Sequence, residues 1–141
     1  MSKVYLGLGS NLGNKEENIH KAITLIGERV GLVVRQSSLI SSEPWGFQSP
    51  NSFLNAVVCC ETELTPRQVL QTTQQIEREL GKRKIHATKR KGIINYQDRP
   101  IDIDILLYDD LTVDEPDLKI PHPLMYERDF VMIPLKQIKP R

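Results

Sequence analysis

Hydrophobic and polar positions recur with two periods along the chain, and the switches between them outline its elements. The opening KVYLGLGSNLG is a short apolar strand that ends in glycines. Asn14 stands where it can cap a helix, with Glu17 placed to return the bond in a capping box. Ile19, Ala22, Ile23, Ile26 and Val30 share one helical face, and Gly31 closes the element. LVVRQSSLIS returns as one strand, and residues 43–52, EPWGFQSPNS, form a loop by their prolines and glycine. FLNAVVCCE is a strand with Phe53, Asn55, Val57 and Cys59 on one side and Leu54, Ala56, Val58 and Cys60 on the other.

Thr65, Pro66 and Gln68 combine a cap, a first-turn proline and a return hydrogen bond, so a second helix starts there. Val69, Thr73, Ile76 and Leu80 are its buried stripe, and Gly81 ends it. DRPIDIDILLYDD, residues 98–110, then alternates as a strand: Ile101, Ile103, Ile105 and Leu107 on one face, Asp102, Asp104, Leu106 and Tyr108 on the other. Strand, helix, strand, strand, helix, strand is the order of an α+β, ferredoxin-like βαββαβ core, a mainly antiparallel sheet with both helices on one face. The C-terminal extension holds a short strand around Lys119, a turn at Pro121 to Pro123, and some helix near Asp129 that Pro134 limits or bends.

Composition narrows the class. The 141 residues form a single domain, 1–141, large enough to bury roughly two thirds of its unfolded surface. Cys59 and Cys60 are adjacent on a strand, point to opposite faces, and read as small core residues in a reducing cytoplasm. No leader and no membrane-length apolar run is expected. The net charge of +1 conceals an asymmetry. From Leu80 to Gln97 there is no acid but Lys82, Arg83, Lys84, Lys89, Arg90 and Lys91, whereas Asp98 to Asp117 carries eight carboxylates.

The acids include the pair that matters chemically. Asp is depleted in strands, yet Asp102 and Asp104 sit at i and i+2 on one strand face. Carboxylates so placed can converge on hard divalent cations, which in turn clamp phosphate oxygens. The alternative is a solvated edge strand whose acids discourage aggregation; the apolar opposite face and apolar far half argue instead for a central strand. The basic arm reads either as a solvated loop or as a lid that carries cations onto phosphate. Arg99, three residues before Asp102, has the planar fork suited to phosphate. Gly7, Gly9 and Gly13 miss the dinucleotide spacing and read as allowing close backbone approach at a strand end.

Taken in order, GLGSNLG, SEPWG, FLNAV, Gln74 with Glu77, R-x-x-D-I-D-I-L, IPHP and R-x-F make a set that resembles the 6-hydroxymethyl-7,8-dihydropterin pyrophosphokinase family of folate biosynthesis across the whole chain. The resemblance implies transfer of pyrophosphate from ATP to the hydroxymethyl group of the reduced pterin, with release of AMP. It implies that Asp102 and Asp104 hold two Mg²⁺ ions. It assigns the pterin to Ser42, Asn55, the Pro44, Trp45, Gly46 turn, and a stack between Phe53 and Phe130. ATP falls to Gln74, Glu77, Arg99, Ile105, His122 and Arg128, with Lys82 and Lys84 closing over the phosphates. Lys82, Lys84 and Tyr96 stand where relatives often carry arginines and a tryptophan, and Asp98 replaces a small residue or proline. The expected partners are these small molecules, with neither nucleic acid nor membrane, and a monomer is expected with a dimer left open.

Rivals from other classes fit less well. A ferredoxin-like RNA-binding module would display stacking aromatics on its central strands, where IDIDILLYDD offers carboxylates. A polymerase-type nucleotidyltransferase keeps its Gly-Ser and D-x-D motifs close together, whereas Gly9 and Ser10 lie far upstream of Asp102.

Overall fold

A computed structural model describes residues 1–43, 52–90 and 100–139, with 82–90 as backbone only. Its elements are β1 (Ser2–Ser10), α1 (Lys15–Arg29), β2 (Leu32–Gln36), β3 (Ile40–Ser42), β4 (Phe53–Thr62), α2 (Pro66–Arg90), β5 (Asp102–Tyr108), β6 (Val113–Glu115), β7 (Leu118–Ile120) and α3 (Asp129–Ile138). The main sheet runs β2-β4-β1-β5, with β3 also paired to β4, and every pairing is antiparallel. This is the expected ferredoxin-like sheet. β6 and β7 form a separate hairpin.

Both capping signals act locally as their chemistry dictates. The Asn14 side chain accepts the Glu17 N–H at 3.0 Å. At α2 the box closes in both directions: Gln68 N–H donates to Thr65 Oγ1 at 3.2 Å and Thr65 N–H to Gln68 Oε1 at 2.9 Å. The helical stripes then bury Ile19, Ala22 and Ile26 from α1, and Val69, Thr73 and Ile76 from α2, against Val4, Leu6, Leu8, Ala56, Val58 and Cys60. Each buried aliphatic side chain contributes about 1.5–3 kcal/mol. Arg29 and Glu79 join the two helices on the outside with a bidentate pair at 2.6 and 3.0 Å.

Gly31 follows α1 because β2 must begin at once against β4: a Cβ there would lie 2.0 Å from the Glu61 carbonyl oxygen. Gly81, in contrast, does not end its helix. It is absent from the positive-φ glycines of the described residues, so it makes no left-handed cap, and α2 runs on to Arg90. KRKIHATKR is rich in good helix formers and has no proline, which explains the continuation.

LVVRQSSLIS divides into two strands rather than one. Ser37 lies at the break, where its N–H donates to Val57 O and its Oγ accepts the Val57 N–H, each at 2.9 Å. The serine thus satisfies β4 while β2 and β3 part.

β5 also departs from strict alternation. The β1 register pairs Tyr5 with Leu107 but Leu6 with Ile105, so Leu106 is an extra residue in a bulge. Beyond the bulge the faces exchange: Tyr108 joins Ile101, Ile103 and Ile105 beneath the helices, and Leu107 turns to the other face with Leu106. Tyr108 there donates its hydroxyl to Leu64 O at 2.6 Å.

Among the described residues β5 is an edge strand, not a central one. Its apolar residues are nonetheless buried because helices cover one face and α3 the other. Pro134 does not stop α3, which continues to Ile138 and buries Val131, Pro134, Leu135 and Ile138 against Tyr5, Val57, Cys59 and Leu106. Cys59 and Cys60 accordingly belong to opposite cores, and burial raises both thiols, Cys60 to about 12. No helix of the described residues is long and apolar enough to cross a membrane.

Candidate active site

The sheet register assembles a row of residues that are far apart in sequence. Gly9 of β1 pairs with Asn55 of β4 on one side and Asp102 of β5 on the other; two residues earlier, Gly7 pairs with Val57 and Asp104. Because Ile101, Ile103 and Ile105 point beneath the helices, Asp102 and Asp104 lie on the opposite face, the one that α3 partly covers. At about 4.8 Å between neighbouring strands, the row from Asn55 to Asp102 spans roughly 10 Å.

Asn55 is buried and its orientation is fixed. Its Nδ2 donates to Ser42 Oγ at 2.8 Å and to Ile40 O at 3.1 Å. The amide therefore presents Oδ1, an acceptor, towards Gly9, where the missing side chain leaves space. Phe53, half-buried, occupies the same face of β4. Lys15 at the start of α1 donates to Ser52 O at 3.2 Å, holding the backbone just before Phe53.

On the other side of the row, α2 meets the outer edge of β5. Glu77 Oε2 accepts the Ile103 N–H at 2.6 Å, between the two aspartates. Burial first, then the charge of Asp102, push this carboxyl up to about 8 against the pull of that N–H, and Asp104 adds to the rise. Three carboxyl groups thus crowd one end of the strand.

The segment after β7 brings the cations. A cis Ile120–Pro121 bond precedes His122, whose N–H donates to Leu106 O at 3.0 Å and whose Nδ1 accepts the Leu124 N–H at 3.3 Å. Burial, followed by the nearby Arg128 guanidinium, lowers the His122 imidazole, while Asp102 opposes the shift. Arg128 lies over Phe130, 5.7 Å from the ring centroid, and Phe130 packs on the α3 side of the sheet.

The structure therefore gathers Ser42, Phe53, Asn55, Glu77, Asp102, Asp104, His122, Arg128 and Phe130 around one sheet face and its edge. Gln74 is exposed one helical turn before Glu77. Ile105 keeps the inward position its spacing predicts, with its side chain buried beneath the helices, so its backbone is the part available at the strand edge. Pro44, Trp45, Gly46 and Arg99, and the side chains of Lys82 and Lys84, lie outside the described residues. The close approach expected at Gly9 is made by the Asn55 and Phe53 side chains, whereas Lys15 carried no signal in the sequence, because its contact with Ser52 crosses the fold.

Among the described residues no group of three or more His, Cys, Asp or Glu side chains is arranged to hold a metal ion. The donor set instead suits a cation that takes one or two carboxylates here and its remaining oxygens from water and a phosphorylated ligand, the habit of Mg²⁺. A cavity of about 640 Å³ opens at the opposite end of β5, lined by residues that include Leu107, Leu111, Met125, Tyr126 and Leu135; it adjoins the site segment at Pro121, but Asn55, Glu77, Asp102, Asp104, His122 and Arg128 do not line it.

The model of the 7,8-dihydro-6-hydroxymethylpterin-pyrophosphokinase family matches residues 5–140. The chain belongs to this family. Relatives agree with the match: a 2-amino-4-hydroxy-6-hydroxymethyldihydropteridine pyrophosphokinase of Porphyromonas gingivalis is 48% identical over 141 residues, covering 99% of this chain and 92% of that one. The enzyme of the same name from Aquifex aeolicus is 39% identical over 140 residues, covering 99% and 82%. Among solved structures, an HPPK-DHPS in complex with substrates superimposes with a TM-score of 0.74 at 12% identity, over 97% of this chain and 40% of that chain. The fold of this pyrophosphokinase family member is thus shared with a much longer protein. As a member of an enzyme family whose reaction is pyrophosphoryl transfer to a hydroxymethyldihydropterin, the chain has a site whose residues can be read against that chemistry.

Proposed function

We propose that Asp102, Asp104, Asn55 and the groups around them carry out the family reaction in this protein as follows. The pterin lies across β1, stacked between Phe53 and Phe130, with Asn55 Oδ1 accepting from its ring N–H groups and the Ser42 hydroxyl beside it. Flat aromatic faces and an oriented acceptor suit a bicyclic ring with donors on its edge. The hydroxymethyl group then extends along the row towards Asp102, at the edge of β5.

ATP lies against that edge, met by Gln74, Glu77, the backbone at Ile105, His122 and Arg128. The hydroxymethyl oxygen attacks the β-phosphorus, the bond from that phosphorus to the α,β-bridging oxygen breaks, AMP departs, and the hydroxyl proton is lost to solvent. Asp102 and Asp104 would hold two Mg²⁺ ions, which supply charge neutralisation to the phosphate oxygens. The chain's own contribution is orientation of the two substrates and cationic contact from Arg128. Resemblance alone adds Arg99, Lys82 and Lys84 to the phosphates, and the Pro44, Trp45, Gly46 turn to the pterin.

The observation that supports this reading most is the row Asn55, Gly9, Asp102, which sets an amide acceptor and a carboxylate about one substrate length apart. The test is direct. Purified protein with ATP, Mg²⁺ and the reduced pterin alcohol should form AMP and the pterin diphosphate in equal amounts. Pyrophosphate release without AMP would overturn the reading.

A further inference from the structure

A glycine in the middle of a sheet strand weakens it and needs a reason. Gly9 is flanked by partners on both sides, and a Cβ built on it would come within 3.2 Å of Asn55 Oδ1 and 3.4 Å of Phe53 Cδ1. The first of these is tighter than real side chains normally tolerate, and the atom involved cannot easily give. Asn55 is tethered through Nδ2 to Ile40 O and Ser42 Oγ, so its Oδ1 cannot swing away without breaking those bonds. The space a side chain would fill is therefore the space into which the amide acceptor and the phenyl ring lean, over the backbone of β1.

Gly7 provides the contrast. It lies two residues away on the same strand face, but the nearest atoms to a Cβ there belong to the Leu106 side chain, at 3.4–3.6 Å, ordinary contacts. Glycine is thus demanded by close packing at position 9 and only permitted at position 7.

We infer that Gly9 is a specificity-determining residue for the pterin: its bare backbone is the floor that lets Asn55 and Phe53 converge on a flat bicyclic ring and keeps that ring in line with Asp102. This rests on the proposed pterin site. The ring lies in van der Waals contact with the peptide planes at Gly9. Any side chain there both lifts the ring and displaces the Asn55 acceptor, while the nucleotide contacts, which lie at the outer edge of β5, are untouched.

The experiment is a set of variants assayed for AMP formation, with binding of a non-hydrolysable ATP analogue and the thermal midpoint measured alongside. Gly9→Ala should raise the KM for the pterin at least tenfold with analogue affinity within twofold of native, while the displaced Asn55 lowers the thermal midpoint without unfolding the protein at the assay temperature. Gly7→Ala should leave the pterin KM within twofold. In an Asn55→Ala background, where the 3.2 Å contact is gone, adding Gly9→Ala should raise the pterin KM by a clearly smaller factor than it does alone. A native pterin KM in Gly9→Ala, an equal loss in Gly7→Ala, or a parallel loss of nucleotide affinity would each overturn the inference. If the native protein itself forms no pterin diphosphate, it is the underlying site assignment that fails.

Discussion

Glu77 on α2 and Ile103 on β5 are joined by a 2.6 Å hydrogen bond from the strand's N–H to the helix's carboxyl. The bond solves two problems together. Among the described residues β5 is an edge strand, and the outward N–H between Asp102 and Asp104 would otherwise lack a ladder partner. It also fixes the height of the two aspartates relative to α2, the element that carries Gln74. Glu77→Gln keeps an acceptor in place and removes the cost of burying a carboxyl whose pKa is raised, so at pH 7 it should be at least as stable as native. Glu77→Ala should cost about 1–3 kcal/mol for a buried donor left unsatisfied. Urea unfolding of the two variants checks the difference, and equal stabilities would show that the strand edge is held by other contacts.

Asp102→Asn and Asp104→Asn preserve shape and remove one charge each. If the pair serves cations shared with phosphate, a loss of several kcal/mol of charge stabilisation should lower turnover by roughly 10²-fold or more. The circular-dichroism spectrum and thermal midpoint should remain near native, because both side chains lie on the sheet face away from the helix-side core. Near-native AMP formation by either variant at saturating Mg²⁺ would remove the aspartates from the chemistry.

How far the sequence alone could go is visible in these same residues. Both N-caps were legible because the partners lie three positions apart and the bonds form without the rest of the fold. The Asp102, Asp104 pair was legible because strand periodicity assigns it to one face whatever the neighbours are. The bulge at Leu106 was not: it arises from the register of β1, and it carries Leu107 and Tyr108 to the faces opposite those their spacing predicts. The edge position of β5 was hidden because both of its faces are covered, one by α1 and α2 and the other in part by α3, and face burial says nothing about which strand edge is paired. Gly81 carried the sign of a helix end, but a glycine ends a helix only when it turns left-handed, and the good helix formers after it favour continuation.

Asp109 gives a pH-dependent prediction away from the site. Its Oδ1 accepts the Lys3 N–H at 2.8 Å, and this bond, followed by one to Ser2, holds the carboxyl below its usual value of 3.8. A lowered folded pKa means stabilisation that is present above the unfolded value and lost as pH falls through the folded one. Asn tolerates the residue's positive φ of 49° and retains an acceptor oxygen. Asp109→Asn should therefore be slightly less stable than native at pH 7, and the two should converge as the pH falls through the lowered folded pKa. A gap that persists unchanged in acid would mean the charge is not the cause.

Cys59 and Cys60 are 1% and 0% exposed, and burial raises both thiols. The thiolate is the reactive form, so neither should react with an aromatic disulfide reagent in the native protein at pH 8. Both should react on addition of denaturant, with a rate that follows unfolding. Prompt reaction of one thiol in the native state would mean that its core opens locally.

Two glycines four residues apart should respond to alanine with opposite signs. Gly27 is exposed within α1, and a Cβ there would meet only Val33 Cγ2 at 3.9 Å. Gly27→Ala removes the entropic cost of a helical glycine and should stabilise by about 0.5–1 kcal/mol. Gly31 has no such freedom, because its Cβ would fall 2.0 Å from the Glu61 carbonyl oxygen and 2.9 Å from the carbonyl carbon. That obstacle is backbone of β4, paired on its other edge to β1, so relief requires β2 to move away from the sheet. Gly31→Ala should accordingly destabilise by at least 3 kcal/mol, roughly the upper end of ordinary point mutations. Chemical denaturation of both variants tests the pair, and a tolerated Gly31→Ala would show that β2 can be displaced without loss of the sheet.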